Sequence, residues 1–260
     1  MPSPTQDMFS KADAYERYMG RWSRELAPQL VTFGDVRDGD TVLDVGSGTG
    51  VLSFALAAKA AHVTGIDLSP DYVAFAAHHA TDARVQFQVG NAQALAFAPA
   101  TFDKTLSLLV INFVPDPALA VREMKRVTKP GGTVVAAVWD YGDGMKMLRV
   151  FWDEVIAFDP AMEPKDEAHM PLVHQGQLGE LWRQQGLEHV EKAPLTFTQH
   201  FASFDDYWAP FLLGQGPAGS YVAKLPKDRQ AALADRLRAK LGTGAFELTA
   251  RVWAVRGTVP

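Results

Sequence analysis

No stretch of this sequence restricts its fold as tightly as Val42-Leu43-Asp44-Val45-Gly46-Ser47-Gly48-Thr49-Gly50, an apolar strand that turns through three alternating glycines straight into an alanine-rich helix beginning near Val51. Only glycine lets a backbone approach a ligand this closely and take positive φ at no steric cost. The N–H groups at the helix start, with roughly half a positive charge, favour an anionic group such as a carboxylate or phosphate. The nicotinamide and flavin fingerprint needs G-x-G-x-x-G, whereas here the third glycine comes one residue early and Val51 holds the later position. That spacing counts against a dehydrogenase.

The same strand, turn and helix pattern repeats through the middle of the chain, as expected for a parallel sheet with covering helices. His62 to Asp67 reads as a second strand, followed by Ser69-Pro70-Asp71, an N-cap, a first-turn proline and an acid that open a helix to about Ala80. Strands are predicted over Arg84 to Val89, Phe102 to Val110 and Thr133 to Trp139, with a helix from Asp116-Pro117 that stops at Pro130-Gly131-Gly132. Beyond Asp140 the alternation loosens: Tyr141 to Met170 reads as an insertion, then a helix over about Gln175 to Gln185 leads into a strand near His189 to Thr198. Ser203 opens a helix ending by Gly214, Pro226 begins another, and a last strand is predicted over Phe246 to Val255.

Composition removes several classes of function. With 260 residues, 47% hydrophobic and 21% charged, the chain can bury a sizeable core, and it has no cysteine, which excludes disulfides, thiolate metal sites and a cysteine nucleophile. A net charge of −5 without a long basic run disfavours a nucleic-acid partner and fits a small molecule better. Met1 to Lys11 lacks the charged start and apolar run of a signal peptide, and the apolar run near Leu106 to Val114 falls short of the roughly 18 residues a membrane helix needs. A cytoplasmic protein without a membrane span is expected. His169, His174, His189 and His200 lack metal-ligand spacing, and no metal is expected.

Gly-x-Gly-x-Gly after an apolar strand with an internal acid resembles the first motif of class I S-adenosylmethionine-dependent methyltransferases. Four further signals agree in order: Asp67 at the second strand tip, Val89-Gly90-Asn91-Ala92-Gln93, Phe102-Asp103 with Ser107 to Val114, and Val127-Thr128-Lys129-Pro130-Gly131-Gly132. Tyr15 to Ser23 is similar to the N-terminal cap helix of small-molecule enzymes related to the ubiquinone and menaquinone methyltransferases. The resemblance covers about Tyr15 to Trp139. It implies an enzyme with a Rossmann-like α/β fold: a seven-stranded, mostly parallel sheet with the last strand antiparallel, helices on both faces and a helical lid. One domain over 1–260 follows, with cap helices in 1–35, a cofactor-binding half in 36–140 and substrate-side insertions or lid in 141–180 and 203–243.

The resemblance implies S-adenosyl-L-methionine as cofactor, held by Gly46, Ser47, Gly48 and Gly50, with Asp67 accepting both ribose hydroxyls and Leu68 flanking the adenine. Asn91 stands where the family usually has an acid, keeping an acceptor for the adenine amino group without the charge, while Ala92 offers its amide to the ring. Leu108 and Leu109 join the cofactor set, Tyr18 closes over the methionine end and Arg21 pairs with its carboxylate. Asp44 is either a cofactor-side ligand or a brace accepting the amides of the glycine loop, with bracing preferred. Trp139, Tyr141 and Trp208 are read equally as core or as substrate pocket, and Asn112, which stands where related enzymes often carry a histidine, is a further candidate for the pocket. A methyl transfer needs a base only when the acceptor must lose a proton, and His174 and Asp140 are the candidates, bordering the expected acceptor site. The rivals are another nucleoside-using transferase on this fold, such as an aminopropyl transferase, and a cofactor-binding module without catalysis. Nothing in the sequence separates oxygen, nitrogen or carbon as the accepting atom.

Overall fold

The computed structural model describes residues 12–59 and 62–260. The reading of Met1 to Lys11 therefore lies outside the described residues. Strands β1 (Thr41–Val45), β2 (His62–Asp67), β3 (Val85–Val89), β4 (Phe102–Leu108), β5 (Thr128–Trp139), β6 (Glu188–Phe201) and β7 (Phe246–Thr258) form one sheet in the order β3-β2-β1-β4-β5-β7-β6. The first five are parallel, and β7 runs antiparallel to both β5 and β6.

Alternation along the strands explains the two layers that cover the sheet, because successive side chains leave opposite faces. Val135, Ala137 and Trp139 of β5 join one buried cluster with Leu26, Leu56, Phe151 and Leu237. Val134, Ala136 and Val138 join the other with Val121, Met124, Leu181 and Trp182. The helices Arg21–Phe33, Val51–Ala57, Lys146–Phe158 and Lys227–Leu241 thus pack on one face, and Pro117–Val127 and Gln177–Gln184 on the other.

Local chemistry starts the helices where the sequence indicates. Ser69 caps Pro70–His79 by accepting the Tyr72 amide, and Asp116 caps Pro117–Val127 by accepting that of Leu119 at 2.9 Å. Three differences from the expected pattern have physical causes. The insertion after Asp140 contains the helix Lys146–Phe158, whose buried Met147, Leu148, Phe151, Trp152 and Val155 have helical spacing, but glycines before it and Pro160 after it blur the periodicity. Gly214 does end a helical segment with φ +73°, yet a further helix, Gly216–Lys224, begins at once. Strand β6 is longer than its sequence suggests and tolerates Pro194 because it is an edge strand.

Candidate active site

Strands β1 and β2 end side by side, with Val45 opposite Ile66, so the glycine loop leaves the sheet next to the β2 tip. The Ile66 carbonyl accepts the Gly46 and Ser47 amides, both at 2.8 Å, and turns the chain out of the strand. The glycines divide by role. A Cβ on Gly46 would lie 2.5 Å from the Val110 side chain, and one on Gly50 would meet the Phe54 and Phe87 rings at 2.8 and 3.0 Å. A Cβ on Gly48, at φ +52°, would meet nothing within 4 Å, because this residue faces a cavity.

Asp67 closes the loop. Its Oδ2 accepts the Gly48 amide and its Oδ1 the Ser69 amide, each at 2.9 Å. A carboxylate offers about four lone-pair sites, so capacity for two further donors remains on the cavity side. Burial holds its pKa above the usual carboxylate range. Asp44, by contrast, is fully buried and does not reach the cavity: its Oδ2 accepts the Ser53 hydroxyl at 2.6 Å, and Oδ1 has no partner among the described residues. It braces the helix that follows the loop. The expected bracing of the loop amides falls to Asp67, and burial pushes the Asp44 carboxyl up to about 7.

The cavity measures about 320 Å³ and lies at the C-terminal ends of the parallel strands, where β2 and β4 leave β1 on opposite sides. At one end stand Gly48, Asp67, Leu68, Asn91 and Ala92; Leu68 is 49% exposed, an apolar face open to a planar ligand. Asn91 Oδ1 accepts the Gln93 amide at 2.9 Å, so part of its acceptor capacity holds its own turn. Leu108 and Leu109 line the middle, and Leu109 takes φ +64°, a strained conformation for a branched side chain, while its amide donates a hydrogen bond to the Ala137 carbonyl.

The other end is aromatic. The helix Ala12–Tyr15 brings Tyr15 to the cavity, and the π-helical turn Glu16–Gly20, between it and Arg21–Phe33, presents Tyr18 and Met19, with Trp139 and Tyr141 coming from the end of β5. The Tyr18 hydroxyl is buried without a partner among the described residues, and burial raises its pKa well above that of a free phenol.

Several sequence-predicted positions lie elsewhere. Arg21 does not line the cavity: its guanidinium pairs with Asp206 at 2.7 Å and stacks over the Trp22 and Phe201 rings. Trp208 is buried in an aromatic cluster with Phe204 and Phe211. Asn112 is buried beside the cavity wall rather than on it, its amide unpartnered among the described residues. Asp140 is buried against Arg251 at 2.6 Å and His174 is exposed, so neither candidate base reaches the cavity. Gly50 acts from behind, as the left-handed cap of the helix after the loop.

Sequence reasoning passed over Glu167. It is 2% exposed, lines the aromatic end and accepts the Trp152 indole N–H on Oε2 at 2.5 Å. Its signal, an acid inside an insertion of unassigned structure, gave no reason to single it out. Among the described residues, Glu167 and Asp67 are the carboxyl groups of the lining, which contains no lysine, arginine or histidine.

A glycine loop and a strand-tip carboxylate on one cavity, at the point where the strand order divides, define a Rossmann-like site for a nucleoside-bearing ligand. Residues 43–136 match the family described as methyltransferase domain. The chain is 38% identical over 120 residues to the 2-methyl-6-phytyl-1,4-hydroquinone methyltransferase of Synechocystis, covering 45% of this chain and 38% of that one. It is 34% identical over 142 residues to the malonyl-[acyl-carrier protein] O-methyltransferase of Erwinia billingiae, covering 54% and 55%. The chain thus spans about half or less of the length of the curated relatives it matches. Among solved structures, phosphoethanolamine N-methyltransferase 2 of Haemonchus contortus, in complex with S-adenosyl-L-methionine, shares the fold with a TM-score of 0.61 at 22% identity, over 99% of this chain and 58% of that one. Over residues 43–136 the chain is thus similar to the class I S-adenosylmethionine-dependent methyltransferases. The site fits that cofactor: Gly48 leaves the space a side chain would fill, Asp67 has unspent lone pairs and Leu68 offers an uncovered apolar face.

Proposed function

We propose that this chain transfers a methyl group from S-adenosyl-L-methionine to a small-molecule acceptor held at the aromatic end of the cavity, giving S-adenosyl-L-homocysteine. The observation that carries this reading is the Asp67 carboxylate, fixed between the Gly48 and Ser69 amides with its remaining lone pairs on the cavity. In this role Asp67 holds the ribose, Leu68 and Ala92 flank the adenine, and Leu108 and Leu109 wall the middle of the cofactor. When bound, the cofactor supplies an electrophilic methyl group on a sulfonium. The protein aligns it with the nucleophile and excludes water, and Tyr18, Trp139 and Tyr141 contribute apolar walls for that purpose. Residues 141–180 and 203–243 then form the acceptor-side cover of one domain, tied to the helix Arg21–Phe33 by the Arg21–Asp206 ion pair.

Among the described residues no helix is long and apolar enough to cross a membrane. The test is calorimetric titration of the purified protein with S-adenosylmethionine, S-adenosylhomocysteine and NAD in parallel. Binding of the first two in the micromolar range, and not of NAD, is expected. Binding of NAD alone, or of none, overturns the reading.

A further inference from the structure

The aromatic end of the cavity holds a carboxyl group that cofactor binding leaves unused. Glu167 sits in a short 3₁₀ turn, Glu167–His169, inside the insertion, with Oε2 taken by Trp152. The Tyr18 hydroxyl, buried and unpartnered among the described residues, lines the same end, as does Tyr141. Four ionisable groups act on Glu167: Asp166 beside it, Arg149 paired with Asp166, and the two tyrosines. Arg149 is committed to Asp166, so the Glu167 charge lacks a dedicated counter-ion. Burial is the main reason its carboxyl is pushed up to about 7, near the operating range of a general base. Both tyrosines are driven the other way from ionisation and stay protonated as O–H donors.

Resting on the methyl-transfer reading above, we infer that Glu167 is the general base of the reaction and that the acceptor is a neutral, phenol-like hydroxyl on an apolar body, oriented by Tyr18. Charge selects this class. A carboxylate or phosphate acceptor would meet Glu167 and Asp67 with no cation in the lining to offset them. An ammonium acceptor would leave a methylated cation behind after giving its proton to Glu167. With a hydroxyl the charges cancel. The acceptor oxygen bonds the methyl carbon, the carbon–sulfur bond breaks with its electron pair kept on sulfur, and the hydroxyl proton passes to Glu167. A sulfonium, a carboxylate and a neutral hydroxyl become a thioether, a carboxylic acid and a methyl ether, all uncharged, in a cavity where separated charge is costly. A phenol, with a free pKa of about 10 like that of tyrosine, is within reach of such a base.

Ring-matched probes test this: phenol, benzylamine and benzoate, each titrated by calorimetry into protein saturated with S-adenosylhomocysteine, above the range in which Glu167 titrates. Phenol is expected to bind at least about tenfold tighter than benzoate and, with S-adenosylmethionine, to be methylated at least about tenfold faster than benzylamine, whose ammonium can pair with the Glu167 carboxylate; Tyr18→Phe is expected to weaken phenol binding. With S-adenosylmethionine, Glu167→Gln is expected to lower phenol methylation by about 100-fold or more, the range for loss of a general base. Glutamine keeps an acceptor for Trp152, so affinity for S-adenosylhomocysteine should stay within about twofold. The wild-type rise of kcat/KM with pH should vanish in the variant. Benzoate equalling phenol in binding, benzylamine equalling it as a methyl acceptor, phenol failing to bind or bound without being methylated, or a fully active Glu167→Gln overturns the inference. If the wild type fails to bind S-adenosylhomocysteine, the methyltransferase reading itself fails and this inference falls with it.

Discussion

Asp67 and Gly48 meet through one hydrogen bond, yet their substitutions separate two kinds of loss. Replacing Asp67 by Ala removes the proposed ribose acceptor together with the brace on two amides. A hydrogen bond to a charged group is worth about 1.5–3 kcal/mol, so cofactor affinity is expected to fall about 10- to 150-fold, as calorimetry would show. Unchanged affinity would remove the ribose role. Gly48→Val acts through space instead: no protein atom lies within 4 Å of its Cβ, so the fold survives apart from the cost of a left-handed valine, about 1–2 kcal/mol, while the side chain fills the place of the ligand. Loss of binding with a cooperative melt is the expected result. Gly46→Ala should show the reverse balance, since its Cβ collides with Val110 and the damage falls on stability first.

Among the elements, the helix Arg21–Phe33 is held to the segment Phe204–Trp208 by Arg21, and the choice between that role and a ligand role is measurable. Arg21→Ala removes a half-exposed ion pair and a stacked cation, each worth about 0.5–1 kcal/mol. A fall in melting temperature with S-adenosylmethionine affinity kept within about threefold is expected; a tenfold loss of affinity would return Arg21 to the cofactor carboxylate. This position also marks the limit of what the sequence reveals. The glycine loop, Asp67 and the capped helices are legible because their partners stand within 20 residues along the chain, and short spacing carries geometry. Arg21 finds Asp206 across 185 positions and Asp140 finds Arg251 across 111, pairings that appear only once β6 and β7 have folded back. Glu167 is hidden for a related reason: its burial depends on helix Lys146–Phe158, whose periodicity the flanking glycines obscure.

Over the whole molecule, buried acids set an unusual direction for stability against pH. Asp44 and Glu167, both buried, have carboxyls raised from 3.8 and 4.5 to about 7, and Asp67 is raised as well. A group whose folded pKa lies above its unfolded value binds its proton more tightly in the fold, so its contribution is complete below about pH 4 and is lost as pH climbs through about 7. Asp82, Asp103, Glu123 and Asp143 are lowered by Arg84, Lys129, Arg126 and Lys146 and work the other way, losing their contribution as pH falls below about 4. Except for Glu123–Arg126, which is partly buried, these pairs are open to solvent and screened, so the buried acids dominate between the two windows. A tenfold change in proton affinity is worth about 1.4 kcal/mol, so Asp44 and Glu167 act on the order of a few kcal/mol each. The ligand-free protein is therefore expected to melt at a lower temperature at about pH 8 than at about pH 5, opposite to a protein held mainly by surface ion pairs. Asp44→Asn keeps an acceptor for the Ser53 hydroxyl and abolishes the titration, so it should flatten a large part of that slope. An unchanged slope in this variant would mean that Asp44 takes up its charge without penalty, with its unpartnered oxygen solvated in the folded state; a flattened one would establish that the acid inside β1 is carried as a neutral group until the fold reaches neutral pH.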